Sequence, residues 1–154
     1  MVLDSFDKKI LQLLQRNCRL ASEEIGAQVG LSPSAVQRRI KKLREEGAIE
    51  AEVAVIPAQY SAHGMSFVAG IEIERDNYAV LNDLKRWAQQ QECIQQMFYV
   101  TGDVDLMLVV TAQTPKHYDG FIEQLMARYP QIKRVTTNVV IDTPKKSLFL
   151  PVEE

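Results

Sequence analysis

The first third of the chain predicts three short helices. Between Asp4 and about Asn17, the apolar residues Phe6, Ile10 and Leu14 recur at helical spacing, so they form the buried side of the first helix. Polar residues fill the positions between them. An amphipathic segment of this length buries its apolar stripe against neighbouring helices.

A polar turn separates the second predicted helix from the third. The second begins near Ser22, a good N-cap residue, and ends at Gly30, where a helix C-terminus favours left-handed backbone. Ser32 can cap the third helix, and Pro33 fits its first position because that position needs no N–H group. We expect this helix to run to about Glu46. Two short helices joined by such a turn form a helix-turn-helix.

The pattern changes after Gly47. Residues 48–56 partly alternate and are rich in β-branched side chains, so we predict a strand that acts as a wing or a connecting segment. Pro57 ends this strand, and residues 59–64 have the composition of a linker.

Strands and helices alternate over the remaining chain. Phe67, Ala69 and Ile71 share one face of a strand. A helix is predicted from Asn77 to Gln91. Further strands are predicted over 94–100, 104–111 and 132–141, a second helix from Thr114, and a short fifth strand over 147–151. The order βαββαβ predicts a ferredoxin-like sandwich with helices on one sheet face. We expect a second copy of the chain to cover the other face.

Composition indicates a globular protein of the α+β class. The 154 residues are 46% hydrophobic and 25% charged, which excludes wholesale disorder and allows two small domains. We predict a helix-turn-helix domain over 1–50, a connecting strand and linker over 51–64, and a ferredoxin-like domain over 65–154. No apolar run approaches the roughly 18 residues that span a bilayer. Acids stand where a signal peptide carries basic residues, so we expect a cytoplasmic location.

Isolated cysteine and histidine residues argue against a metal site. Cys18 and Cys93 belong to no C-x-x-C pair, and His63 and His117 stand alone. We therefore predict two buried free thiols, no metal and no cofactor.

The third predicted helix carries the densest basic cluster. Val36, Ile40 and Leu43 form its packing side. Arginine on the opposite side can bridge guanine acceptors, glutamine can pair with adenine, and lysine can neutralise phosphate. A solvated basic surface is the alternative, but the preceding short helix and turn favour a reading helix. The predicted DNA-binding residues are Ser32, Ser34, Gln37, Arg38, Arg39, Lys41 and Lys42.

Three motifs occur in order along the chain. They are LDSFDKKIL from Leu3 to Leu11, IGAQVGLSPS from Ile25 to Ser34 with Arg39, Leu43, Gly47 and Ile49 behind it, and TGDVD from Thr101 to Asp105. Together they resemble the Lrp/AsnC family of transcriptional regulators. The resemblance implies a winged helix-turn-helix and an effector-binding and oligomerisation domain over 65–154 that binds an amino acid. It also implies dimers that assemble into tetramers or octamers, and a location in the bacterial or archaeal cytosol, at the nucleoid.

The same resemblance implies that the turn from Thr101 to Asp105 approaches the effector. Backbone N–H groups at Gly102 and Asp103 can hold a carboxylate, and Asp103 or Asp105 can hold an ammonium group. A plain hairpin turn with solvated acids is the alternative. The predicted effector-binding residues are Tyr99, Thr101, Gly102, Asp103, Asp105, Thr136 and Asn138.

These observations favour a sequence-specific DNA-binding regulator that is not an enzyme. Its expected partners are double-stranded DNA, an amino acid or related small effector, and further copies of itself, but no membrane. One alternative is a siroheme-decarboxylase-like enzyme on the same scaffold, which the basic helix and the scarcity of histidine disfavour. The other is an amino-acid-sensing module without DNA binding, which the intact N-terminal domain disfavours.

Overall fold

The chain forms two compact units in the computed structural model, which describes residues 2–74 and 78–152. The first unit comprises Met1–Val55 and Lys145–Glu154, and the second comprises Ile56–Pro144. The sequence predicts a domain end at residue 50 and a single domain over residues 65–154. In the structure, the chain passes between the units twice, once after Val55 and once after Pro144.

Three helices build the first unit, as predicted. They are α1 (Ser5–Leu14), α2 (Ser22–Val29) and α3 (Pro33–Glu45). The side chains of Ile10, Ile25, Val36 and Leu43 are fully buried and form one core. Each helix contributes to that core, so burial of its apolar stripe holds α3 in place.

The turn between α2 and α3 is held by capping interactions. Gly30 has a φ of 77° and ends α2, as the sequence predicts. Its N–H and that of Leu31 both donate to the carbonyl of Gly26, at 2.8 and 3.1 Å. The hydroxyl of Ser32 accepts from the N–H of Ala35 at 3.3 Å and begins α3. At α2, the predicted Ser22 cap is wrong, because the N-cap residue is Ala21.

The predicted strand over residues 48–56 is absent. The segment contains no strand. Val53 and Val55 face solvent, at 66% and 70% exposed, whereas Ile49 packs against the core of the first unit. An extended segment becomes a strand only when a neighbour supplies hydrogen bonds. The segment over 48–56 is instead tied to α3 by a bidentate ion pair between Glu52 and Arg44, with both N–O distances at 2.9 Å.

The second unit is the predicted βαββαβ sandwich. Its elements are β1 (Met65–Ile73), α4 (Tyr78–Ala88), β2 (Ile94–Tyr99), β3 (Leu106–Ala112), α5 (Pro115–Arg128) and β4 (Ile132–Val139). The strands pair antiparallel in the order β2-β3-β1-β4. The predicted helix start at Asn77 lies outside the described residues. The predicted linker contains a single 3-10 turn, Ala58–Tyr60.

Only one face of this sheet belongs to the core. Phe67 and Leu108 are buried on it and pack with Leu84 of α4 and Leu125 of α5. Residues one position along each strand point to the opposite face, which we call the open face. It carries the partly exposed side chains of Val68, Met107 and Val109 and the exposed side chain of Phe98.

The predicted fifth strand over 147–151 is wrong, because this tail joins the first unit. The side-chain amide of Gln15 donates to the carbonyl of Leu150 at 2.9 Å and accepts from its N–H at 2.7 Å. Gln12 donates to the carbonyl of Val152 at 2.8 Å. Side chains of α1 thus satisfy backbone groups that a neighbouring strand would otherwise pair.

Two expected absences concern membranes and metals. Over the described ranges, no helix combines the length and the apolar character needed to cross a membrane. Over the same ranges, no group of three or more histidine, cysteine or acidic residues is placed to hold a metal ion. The prediction of two buried thiols is wrong for Cys18, which is exposed, while Cys93 is partly buried.

Candidate nucleic-acid interface and effector turn

The two sides of α3 differ as the sequence predicts. Val36 and Ile40 are buried in the core of the first unit, whereas Gln37, Arg38 and Lys41 are exposed. No ion pair holds Arg38 within the described residues. Its guanidinium therefore keeps the donors that a bidentate contact with guanine requires.

Lys41 and Lys42 are engaged only weakly. Lys41 lies 3.7 Å from Glu45 and Lys42 lies 3.7 Å from Glu46, and both lysine side chains are more than half exposed. Exposed pairs one helical turn apart contribute little to stability, on the order of 0.3–0.5 kcal/mol each. Both ammonium groups are thus available to a phosphate at small cost.

Exposed hydroxyls lie at the start of α3. The Oγ atoms of Ser32 and Ser34 are 3.2 Å apart, and Ser32 also caps the helix. Hydroxyls at a helix N-terminus are suited to phosphate, because the helix dipole favours negative charge there.

Arg39 is the one predicted DNA-binding residue that remains to be described, and its side chain points back into the first unit. One of its terminal nitrogens, Nη1, lies 2.7 Å from a carboxylate oxygen of Asp4 and 2.7 Å from one of Asp7. Its guanidinium carbon lies 5.3 Å from the centre of the Phe6 ring. The Asp7 carboxylate, followed by that of Asp4, raises the pKa of Arg39. The structure thus commits this side chain to contacts within the domain.

In the effector turn, the predicted residues fall into two groups. Thr101, Gly102 and Asp103 are exposed, and Gly102 has a φ of 113°, which favours glycine. Asp105 is partly buried, and its carboxylate accepts from the N–H of Ile73 at 2.7 Å. Asp105 therefore fixes the turn to β1, and Asp103 is the exposed carboxylate that remains for a ligand.

The predicted residues on the strands are also divided between the two faces. Thr136 pairs in register with Gly70, and a β-carbon built on Gly70 would lie 3.1 Å from Cγ1 of Val104. Residues directly opposite each other share a sheet face, so Thr136 and Val104 flank Gly70 on the open face. Asn138 lies on this face too, two residues farther along β4. Tyr99 is on the helix side, where Nζ of Lys85 lies 4.5 Å from its ring centre.

Asp4 and Asp7 contact α3 through Arg39, a contact that the sequence analysis did not identify. They form a capping box at the start of α1: Asp7 N–H donates to Asp4 at 2.9 Å, and Asp4 N–H donates to Asp7 at 3.2 Å. The Asp7 N–H lowers the pKa of the Asp4 carboxyl, and Arg39 lowers it further. The Asp-x-x-Asp spacing signals the box, but the long-range partner Arg39 has no local signal.

Comparison with known proteins extends over nearly the whole chain. Residues 3–44 match the family model of the AsnC-type helix-turn-helix domain, and residues 66–148 match that of the Lrp/AsnC ligand binding domain. The chain is 35% identical to the HTH-type transcriptional regulator y4tD of Sinorhizobium fredii, over 99% of this chain and 90% of that protein. Among solved structures, an AsnC family transcriptional regulator from Agrobacterium tumefaciens has a TM-score of 0.88 and 26% identity, with 97% of each chain covered. A transcriptional regulator of Neisseria meningitidis in complex with L-methionine has a TM-score of 0.88 and 25% identity, also with 97% of each chain covered.

Proposed function

The chain belongs to the Lrp/AsnC family of DNA-binding transcriptional regulators, and from that premise we propose that α3 reads the major groove of double-stranded DNA. The observation that carries the proposal is the exposed polar side of α3 opposite its buried packing side. In this arrangement Gln37 and Arg38 contact base edges. Lys41 and Lys42 contact phosphates, and Ser32 and Ser34 contact the backbone near the start of the helix.

Replacing Arg38 with alanine should weaken specific binding about tenfold, which is within the range of one lost bidentate base contact. Lys41→Ala should weaken binding to all sequences and reduce the slope of log K against log salt by about 0.9, one phosphate contact. Fluorescence anisotropy checks both effects on a duplex that the wild-type protein selects from a random library. Arg86→Ala is the matched control, because that arginine is exposed on α4 of the other unit. Wild-type affinity in both α3 variants would refute the reading face.

We further propose that the second unit binds an amino acid at the turn from Thr101 to Asp105. The ligand-binding model covers this turn, and the similar neisserial regulator is a complex with L-methionine. In this proposal the N–H groups of Gly102 and Asp103 hold the α-carboxylate, and the Asp103 side chain holds the α-ammonium. Thr136 and Asn138 lie on the open face of the same sheet and add polar contacts.

A thermal-shift screen with each of the twenty standard amino acids tests the effector site. At a concentration a hundredfold above Kd, a true ligand stabilises the second unit by about 2.7 kcal/mol. We expect at least one amino acid to raise the melting temperature and Asp103→Asn to abolish that rise. Asp119→Asn, which neutralises an exposed acid on α5, should keep it. A response that survives in Asp103→Asn would place the ligand elsewhere.

We also propose a regulatory and not a catalytic role in the bacterial or archaeal cytosol, where the chromosomal DNA is. The hydrogen bond from the Ile73 N–H to Asp105 supports a structural role for this carboxylate, which holds the turn to β1. Further copies of the chain bind to the open face. Its partly exposed apolar side chains, Val68, Met107 and Val109, suit contact between copies.

A further inference from the structure

We infer that Arg39 is a positioning residue for DNA binding: it sets the placement of α3 and screens two carboxylates, and it does not itself contact DNA. The inference rests on the proposed contact between α3 and DNA. It assigns different roles to neighbouring arginines, since Arg38 points outward to the duplex and Arg39 points inward to α1.

The first support is geometric. Nη1 of Arg39 bridges Asp4 and Asp7, the two side chains of the capping box that begins α1, at 2.7 Å each. The guanidinium also lies over the ring of Phe6, on the same helix. Arg39 is near the middle of α3, so these contacts link the centre of the reading helix to the first turn of α1.

The second support is burial. The Asp7 side chain is 8% exposed, and among the residues that the structure describes Asp7 is the one buried charged residue. A carboxylate in that position is stable only if it is paired and hydrogen-bonded. Arg39 is its ionic partner, so a loss of the guanidinium would leave a buried charge without its counterion.

The third support is charge. Two carboxylates beside the reading helix would repel the phosphates of a duplex, and this repulsion is strongest at low salt. Arg39 brings the local charge of the cluster from −2 to −1. A change that removed only the guanidinium would therefore weaken DNA binding in two ways, by releasing α3 and by exposing negative charge.

Variants that neutralise Asp4 and Asp7 together with Arg39 distinguish a positioning role of Arg39 from a direct contact between Arg39 and DNA. We expect Arg39→Gln to bind the selected duplex about tenfold more weakly, because α3 loses its link to α1 and the Asp7 carboxylate loses its ionic partner. The triple variant Arg39→Gln/Asp4→Asn/Asp7→Asn should bind within about twofold of wild type with the wild-type salt slope, since amides can keep the cap without the charges. A triple variant that stays weak, with a salt slope reduced by about 0.9, would show that Arg39 contacts a phosphate and would overturn the inference.

A second triple variant controls for the simple gain from removing acids. Arg39→Gln/Glu23→Gln/Glu50→Gln has the same net charge as the first triple variant, but it neutralises two exposed acids outside the cluster. We expect it to stay about as weak as Arg39→Gln, and full recovery in this variant would also overturn the inference. Circular dichroism confirms that each variant is folded. If Arg39→Gln does not fold, the second triple variant, which also leaves Asp7 unpaired, will not fold either, and the first triple variant and Arg39→Lys, which keeps the charge, carry the comparison. Failure of the reading face would appear separately, as unchanged binding by Arg38→Ala.

Discussion

Replacing Gly26 with valine is expected to lower the free energy of unfolding of the first unit by about 3 kcal/mol, the upper range for overpacking a closed site. A β-carbon at this position would overlap the backbone oxygen of Leu31, inside van der Waals contact. The overlapped atom belongs to the turn that leads into α3, so the turn would open and DNA binding would be lost with it. Hydrogen exchange of the backbone amides in α1 to α3 measures the decrease in the free energy of unfolding.

Two comparisons make this result specific. Gly120→Val introduces the same side chain into α5, where a β-carbon meets no atom within 4 Å, so its effect should stay below about 1 kcal/mol. Trp87, the single tryptophan of the chain, lies in the second unit. Its fluorescence should therefore report an unchanged unfolding transition of the second unit in Gly26→Val. Amide protection equal to wild type in Gly26→Val would contradict the tight turn.

Replacing Leu125 with alanine is expected to destabilise the second unit by about 3 kcal/mol, as for other buried leucines. Its side chain is fully buried between α5 and the sheet, in the core that includes Phe67 and Leu108. The remaining cavity cannot close without moving a strand. Urea unfolding followed by Trp87 fluorescence measures the change in the free energy of unfolding. Trp87 reports on α5 because its ring lies 5.9 Å from that of Phe121, which is on α5 together with Leu125.

Gln124→Ala is the matched control for Leu125→Ala. It adds alanine to the adjacent position of the same helix, but its side chain is exposed, so we expect a change within about 0.5 kcal/mol. Because the two variants share the same gain in helix propensity, the difference between them reports burial alone. Equal midpoints for both variants would mean that α5 does not close this core.

Local signals account for the elements that the sequence predicted well. The three N-terminal helices are marked by apolar residues at helical spacing, and α3 also by a capping serine and a proline at its first position. These signals act within one or two turns of chain. The alternation of Phe67, Ala69 and Ile71 likewise identifies the buried face of β1 without knowledge of its neighbours.

The two wrongly predicted strands depend on distant partners. Residues 48–56 have the composition of a strand, but no strand among residues 2–74 and 78–152 pairs with them. The tail over 147–151 also has strand character, yet the backbone N–H and carbonyl of Leu150 bond to Gln15, and the carbonyl of the adjacent Val152 bonds to Gln12, both more than 130 residues away. Composition reports what a segment can form, whereas a strand also needs a partner that composition does not identify.

The site shows the same division. Exposure of Arg38 and Lys41 follows from the helical spacing of Val36, Ile40 and Leu43, so the reading side was predictable. The inward direction of the Arg39 side chain was not predictable, because its carboxylate partners lie at the start of another helix. In the effector turn, the bond from Asp105 to the N–H of Ile73 likewise depends on the pairing of β1 with β3.

Because the first unit takes residues from both ends of the chain, the second unit is in effect an insertion within it. A gene fusion with one junction near residue 55 would transfer α1 to α3 but leave behind Leu150 and Val152, whose carbonyls accept from α1. Exchange of this regulator's sensor for another one therefore requires two junctions, one after Val55 and one before Lys145.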